Sequence, residues 1–156
     1  MAIELDAGAR APAFSLPADD GSTVTLKGFK GRNLVLYFYP RADTPGCTRE
    51  AIDFNRLRSA FAKANTAILG VSADAIEAQN RFKSKHNLKI DLASDETHAV
   101  LRAYGAWGEK SMYGRKFMGV LRKTFLIDEK GRIARVWPKV SVPGHAEEVL
   151  AAAKAL

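Results

Sequence analysis

Apolar positions along the chain fall into two kinds of segment, and their alternation carries most of the architecture. Leu34-Val35-Leu36-Tyr37-Phe38-Tyr39 is an unbroken apolar run, the pattern of a strand covered on both faces and therefore central in its sheet. Ala67-Ile68-Leu69-Gly70-Val71 is a second such run. Between them, Ala51, Phe54, Leu57 and Phe61 recur at helical spacing, which predicts one stripe against the sheet and leaves Arg49, Asp53 and Arg56 for water. Asp74-x-x-Glu77 has the form of a capping box opening another helix, with Ala75, Ala78 and Phe82 on its apolar side.

The flanks extend this order. Phe14-Ser15-Leu16 and Thr23-Val24-Thr25-Leu26, joined by Asp19-Asp20-Gly21-Ser22, predict a short N-terminal hairpin. Ile90-Asp91-Leu92 reads as a short strand, and Ser94 as the start of a helix that turns Val100, Leu101 and Tyr104 inward. Residues Gly105 to Gly119 are glycine-rich with mixed charge, which predicts a surface loop. Val120 to Ile127 reads as a strand with Arg122, Thr124 and Leu126 on one face and Lys123, Phe125 and Ile127 on the other. The turn Asp128-Glu129-Lys130-Gly131 leads into an antiparallel neighbour, Arg132 to Trp137, and a last helix from about Gly144 buries Val149, Leu150 and Ala153. A mixed central sheet flanked by helices follows, with βαβ connections early and a hairpin late.

Composition narrows the function classes. At 156 residues and 47% hydrophobic content, the chain suits a single domain spanning 1–156 with one core. No apolar run of membrane-spanning length occurs, and Met1-Ala2-Ile3-Glu4-Leu5-Asp6 is neither a basic leader nor an apolar one, so we expect a soluble, cytoplasmic protein. The net charge of +7 is spread over scattered Lys and Arg residues, which reads as a solvated basic surface with no specific nucleic-acid partner. Gly28-Phe29-Lys30-Gly31 lacks phosphate-loop spacing, and the three histidines, His86, His98 and His145, show no local ligand spacing. We therefore expect no metal and no cofactor.

The chemistry centres on Cys47, the one cysteine in the chain. An internal disulfide is impossible, and absence of a disulfide framework fits a reducing compartment. Thr44 is a suitable helix cap and Pro45 a suitable first helical residue, placing Cys47 third in the helix. There the unpaired N–H groups and the helix dipole favour a thiolate, the reactive form of the side chain. Because Pro45, Gly46 and Thr48 flank it at a turn, the thiol is expected to be less enclosed than a mid-strand cysteine. The Thr44 hydroxyl can cap the helix or donate to a bound oxygen atom. Glu50 lies one turn after Cys47, either as an ordinary first-turn acid or as a neighbour of the thiolate. In the second case a cation must neutralise it, and composition does not choose among the arginines.

Pro40-x-x-x-Thr44-x-x-Cys47, continued by Thr48-Arg49-Glu50-Ala51, resembles the active-site signature of peroxiredoxins of the peroxiredoxin Q or bacterioferritin comigratory protein class. Gly70-Val71-Ser72, Trp107-Gly108-Glu109-Lys110, Met112-Tyr113-Gly114, Arg122-x-Thr124-Phe125-Leu126-Ile127-Asp128 and Gly144-His145-Ala146-Glu147-Glu148-Val149-Leu150 extend the resemblance over almost the whole chain. It implies a thioredoxin-like fold with an N-terminal hairpin. It also implies that Cys47 is the peroxidatic cysteine, that Thr44 orients the peroxide, and that Arg122 stabilises thiolate and transition state. Pro40 would shield the pocket, the backbone N–H groups near Gly46 and Cys47 would stabilise developing charge, and Glu50 would hold the arginine in place.

One departure stands out. Members of this class often carry a resolving cysteine five or thirty-six residues after the first, where this chain has Ile52 and Lys83. The expected function is a single-cysteine peroxidase for hydrogen peroxide and small organic hydroperoxides, passing through a Cys47 sulfenic acid. Its reductant would be an external thiol: thioredoxin, glutaredoxin, glutathione or another protomer's Cys47. The protein would act as a monomer or weak homodimer. The alternative is a redox-inert thioredoxin-fold binding module with a vestigial thiol.

Overall fold

The computed structural model describes residues 5–156; Met1-Ala2-Ile3-Glu4, part of the leader reading above, lies outside them. The two apolar runs are β3 (Asn33–Phe38) and β4 (Thr66–Ser72), parallel neighbours at the heart of a five-stranded sheet of order β5-β4-β3-β8-β9. β5 (Asp91–Ser94) continues the parallel side, while β8 (Lys123–Ile127) and β9 (Ile133–Trp137) add the antiparallel side. Every residue of β3 is buried, as expected for a central strand.

Strand parity sorts the core into two layers. Val35, Tyr37 and Tyr39 face one layer with Phe54, Phe61, Phe82 and Val149, contributed by α1 (Pro45–Arg56), α2 (Arg58–Lys63), α3 (Ile76–Lys85) and α5 (His145–Lys154). Leu34, Leu36 and Phe38 face the other with Leu101 and Tyr104 at α4 (Ala99–Ala103), and with Phe14 and Leu16 at the N-terminal hairpin of β1 (Ser15–Pro17) and β2 (Thr23–Thr25). The period of two also decides the site: Leu126 joins the α1 layer, whereas Phe125 and Ile127 join the other. The expected face of Arg122, Thr124 and Leu126 is therefore the face on which α1 lies.

Several local expectations are corrected. Residues 105–119 do not form a loop: β6 (Trp107–Met112) and β7 (Arg115–Val120) pair as an antiparallel hairpin closed at Tyr113 and Gly114. Both turn residues have positive φ, 53° and 77°, the requirement of a tight two-residue hairpin turn. Val120 ends that hairpin, so the following strand starts at Lys123, and Arg122 sits in the two-residue junction. The helix after Cys47 breaks at Leu57, which separates Phe61 into α2. Asp53 does not face water; it is buried and paired with Arg49 and Arg56, whose long exposed side chains bring opposite charge to it. Ser94 ends β5, and α4 begins only at Ala99, after the Asp95 carboxylate has bonded the Leu101 N–H at 2.7 Å.

The Asp74 capping box does not form either. Ala75 is the cap residue and no side-chain cap bond exists. Asp74 Oδ2 instead accepts the Ala42 N–H and the Ser72 hydroxyl, each at 2.7 Å. The turn before Cys47 competes successfully for this carboxylate, because its backbone N–H needs a partner.

Candidate active site

The turn from Pro40 to Thr44 connects the end of β3 to α1, and three contacts hold it against α3 and the residues that flank α3. Besides the Asp74 bond, Asp43 accepts from Lys85 Nζ at 2.8 Å and pairs with His86 Nε2 at 2.8 Å. Asp43 occupies the left-handed region with φ 61°, a conformation that costs free energy for a residue with a side chain and that these bonds offset.

Helix α1 starts as its residues dictate. Thr44 is extended at the cap, Pro45 takes the first helical position, and Cys47 the third. Thr44 accepts the Thr48 N–H through its backbone carbonyl at 2.8 Å, but its hydroxyl makes no cap bond. The hydroxyl donates to the Arg41 carbonyl at 2.7 Å. Its lone pairs are thus not spent on the helix.

Cys47 is 1% exposed, which corrects the expectation of a less enclosed thiol. The side chain points inward from α1, into the core layer that it shares with Tyr37, Tyr39 and Phe54. In such surroundings a sulfur anion needs a specific partner. Arg122 arrives from the junction before β8 and donates through Nη2 to Cys47 Sγ at 3.2 Å. Its other terminal nitrogen, Nη1, reaches Glu50 Oε1 at 2.6 Å. One guanidinium fork therefore bridges the sulfur and the carboxylate one helical turn later. Gly46 matters for space: a Cβ there would lie 3.3 Å from Arg122 Nη2. Pro40, half-buried, begins the same turn.

The electrostatics follow from burial. Loss of water pushes Glu50 up to about 7, with Arg122 pulling against that rise. Burial also disfavours the Arg122 charge, but Glu50 and Cys47 more than offset it and hold the guanidinium above its ordinary value. Glu50 Oε2 and the Tyr37 hydroxyl are buried without a hydrogen-bond partner among the described residues. Burial raises Tyr37 well above the ordinary tyrosine value, with Tyr39, Glu50 and Cys47 adding to the effect. A neutral phenol thus backs the site.

Periodicity and motif spacing gave no active-site role to four further residues. Lys110, from the β6–β7 hairpin, folds its ammonium back to the Val120 carbonyl at 2.9 Å. Its stem crosses Gly119, where a Cβ would meet Lys110 Cδ at 3.1 Å. Burial lowers Lys110, Arg122 lowers it further, and Cys47 acts in the opposite sense. His145 and Thr124 form a buried pair 2.8 Å apart, with the imidazole edge-on to Phe54 and Trp137. Burial takes His145 down to about 4, leaving a neutral imidazole at ordinary pH. Asp74, read from sequence only as a helix cap, anchors the active-site turn. The quoted stretches around Lys110 and His145 were the sole sequence signal for those two.

The positions expected of a resolving cysteine have other uses here. Ile52 is exposed on α1 at 40%. Lys83 on α3 is paired with the buried Asp19 at 3.0 Å.

A buried sulfur at a helix start, bridged by an arginine fork to a carboxylate, is the geometry that the comparisons explain. Residues 7–136 match the AhpC/TSA family. The chain belongs to this family of peroxiredoxins. It is 45% identical over 150 residues to peroxiredoxin Bcp of Bacillus subtilis, covering 96% of this chain and 94% of that protein. Identity to peroxiredoxin Bcp of Escherichia coli K12 is 42% over 146 residues, 94% of each chain. The bacterioferritin comigratory protein of Xanthomonas campestris, studied for alkyl peroxide reduction, superposes with a TM-score of 0.90 at 42% identity, over 96% of this chain and 98% of that one. A cysteine-to-serine variant of PrxQ from Xylella fastidiosa gives 0.93 at 36% identity, over 98% of both chains. This peroxiredoxin is a thiol-dependent peroxidase with a thioredoxin-like fold, and the inert-module alternative loses its ground. Among the described residues no helix is long and apolar enough to cross a membrane.

Proposed function

We propose that the chain is one peroxiredoxin domain, 1–156, that reduces hydrogen peroxide and small organic hydroperoxides by a single-cysteine mechanism in the cytoplasm. The observation that carries this reading is the Arg122 fork, 3.2 Å from Cys47 Sγ and 2.6 Å from Glu50. The Cys47 thiolate attacks one peroxide oxygen, the O–O bond breaks, and the departing oxygen leaves as hydroxide or alkoxide that takes a proton. Negative charge shifts from sulfur toward that oxygen. Arg122 and the N–H groups at the start of α1 are fixed donors that stabilise it without reorganising. Thr44 orients the substrate when its hydroxyl turns from the Arg41 carbonyl, and Pro40 limits water at the turn. Glu50 positions Arg122.

The product is a Cys47 sulfenic acid. With Ile52 and Lys83 at the two resolving positions, no second thiol in the chain condenses with it, so an external thiol returns it to the thiolate. Thioredoxin, glutaredoxin and glutathione are the partner classes, and the protein acts as a monomer or weak homodimer, with no specific nucleic acid or membrane surface.

Trapping by dimedone tests the intermediate. After one equivalent of hydrogen peroxide, mass spectrometry is expected to find the adduct on Cys47, and Cys47→Ser to lose both adduct and turnover. Turnover retained in Cys47→Ser would overturn the assignment.

A further inference from the structure

The groove between the active-site turn and α3 has a volume of about 460 Å³, within the range of small-molecule sites, roughly 300–1,000 Å³. The turn contributes Arg41, Ala42 and Asp43 to its lining, and α3 contributes Arg81, Phe82 and Lys85. Its acids are already engaged. Asp43 takes Lys85 and His86, both at 2.8 Å, and the Asp74 carboxylate takes the Ala42 N–H and the Ser72 hydroxyl. Among the described residues neither Arg41 nor Arg81 has a carboxylate within ion-pair distance. Two guanidiniums without an ion-pair partner therefore stand on opposite walls of one groove, outnumbering the single Asp74 charge that no cation among the described residues meets, and each is shaped to grip a carboxylate.

The location narrows the ligand. The groove wall Arg41-Ala42-Asp43 runs directly into Thr44-Pro45-Gly46-Cys47. Four residues of chain from Asp43 to Cys47 span at most about 14 Å, the length scale of a short peptide. The chemistry just described needs an external thiol at that place, and the guanidiniums ask for carboxylates. We propose that this groove binds a low-molecular-weight peptide thiol with two carboxylates, of the glutathione class, and delivers it to oxidised Cys47; the proposal rests on the peroxidase reading above.

The step balances with two molecules of thiol. The first supplies an electron pair from sulfur to Cys47 Sγ, the S–OH bond breaks, an S–S bond forms, and the hydroxide leaves as water with the thiol proton. A second molecule attacks the mixed disulfide, releasing the Cys47 thiolate and a disulfide of the two small thiols. Cys47 is 1% exposed, so the first turn of α1 opens during this exchange.

Two measurements test the proposal. S-methylglutathione, which cannot react, is titrated into the reduced protein and followed by NMR. We expect saturable shifts of the Arg41 and Arg81 side-chain signals and of amides along the two walls, with binding weakened about tenfold or more in the Arg41→Gln/Arg81→Gln double variant. Shifts confined to other surfaces, an absence of saturable shifts, or equal binding by the double variant would overturn it. In stopped flow, the sulfenic acid of the natural protein is reduced by glutathione or by its diethyl ester, which keeps the thiol and loses both carboxylates. Glutathione is expected to be about tenfold faster or more; equal rates contradict the groove assignment. The peroxide half-reaction recorded on the same sample separates the failures. A Cys47 inert toward peroxide sinks the peroxidase reading, whereas normal oxidation followed by charge-blind reduction sinks the groove alone.

Discussion

Glu50, bonded to Arg122, and His145, bonded to Thr124, are buried ionisable side chains, and they work against each other as pH changes. Glu50 is raised by burial to about 7, so the folded state holds a proton that the unfolded chain releases above its ordinary carboxylate value. Its contribution to stability is therefore present at low pH and lost as pH rises from about 4.5 to 7. His145 is lowered by burial to about 4, so the unfolded chain binds a proton that the folded state refuses. Its contribution is present above about 6.5 and lost as pH falls toward 4, on the order of 3 kcal/mol in full. Replacing one exposes the other. Guanidinium midpoints across pH 4.5–6.5 are expected to rise with pH in Glu50→Gln and to fall with pH in His145→Gln. Parallel slopes in the two variants would contradict this assignment.

At the scale of elements, the sheet and its two helical layers were legible because burial leaves an apolar trace, unbroken in a central strand and periodic in an amphipathic helix. The β3 and β4 runs, the hairpin β8–β9 and the stripe of α5 all show it. Parity in the 122–127 segment also placed Arg122 on the correct face. Elements positioned by polar contacts left no such trace. The β6–β7 hairpin is largely exposed, so its strands lack an apolar alternation, and only the Tyr113-Gly114 turn announces it. Asp74 looked like a cap because capping depends on local spacing, whereas its actual partner Ala42 lies 32 residues away in sequence.

Two contacts between elements can be tested. Gly70 in β4 lies beside Tyr37 in β3, and a Cβ there would come within 2.7 Å of the Tyr37 hydroxyl. Gly70→Ala is expected to destabilise the protein by about 1–3 kcal/mol, because the methyl would also meet the ring carbon Cζ of Tyr37 at 2.7 Å. An unchanged denaturation midpoint in Gly70→Ala would contradict the packing. Lys110 holds its ammonium on the Val120 carbonyl of the hairpin, and Cys47 and Arg122 act on it electrostatically in opposite senses. Lys110→Met, which keeps the stem, is expected to slow sulfenic acid formation about threefold to tenfold, as the loss of a partly screened charge does, and Lys110→Arg to restore much of it. A rate unchanged in Lys110→Met would remove the hairpin from the electrostatics of the site.

The whole molecule assembles a site from segments that are remote in sequence. Cys47 and Arg122 are 75 residues apart, and Glu50 and Arg122 are 72 apart. The fold brings them together because β3 lies beside β8 in the sheet while α1 crosses the face that both strands share. Sequence reading alone asked for a cation and could not choose it; family resemblance named Arg122, and the coordinates place its guanidinium against the sulfur. The burial of Cys47 was misread for a related reason, since a turn looks open locally while the sheet that encloses it comes from elsewhere in the chain. The most direct test is the second-order rate of Cys47 oxidation by hydrogen peroxide in the natural protein and in Arg122→Gln. The natural protein is expected to exceed free cysteine by several orders of magnitude, and the variant to lose about 10²-fold to 10³-fold, the cost of removing a preorganised donor. A natural protein no faster than free cysteine, or a variant as fast as the natural protein, would contradict the account.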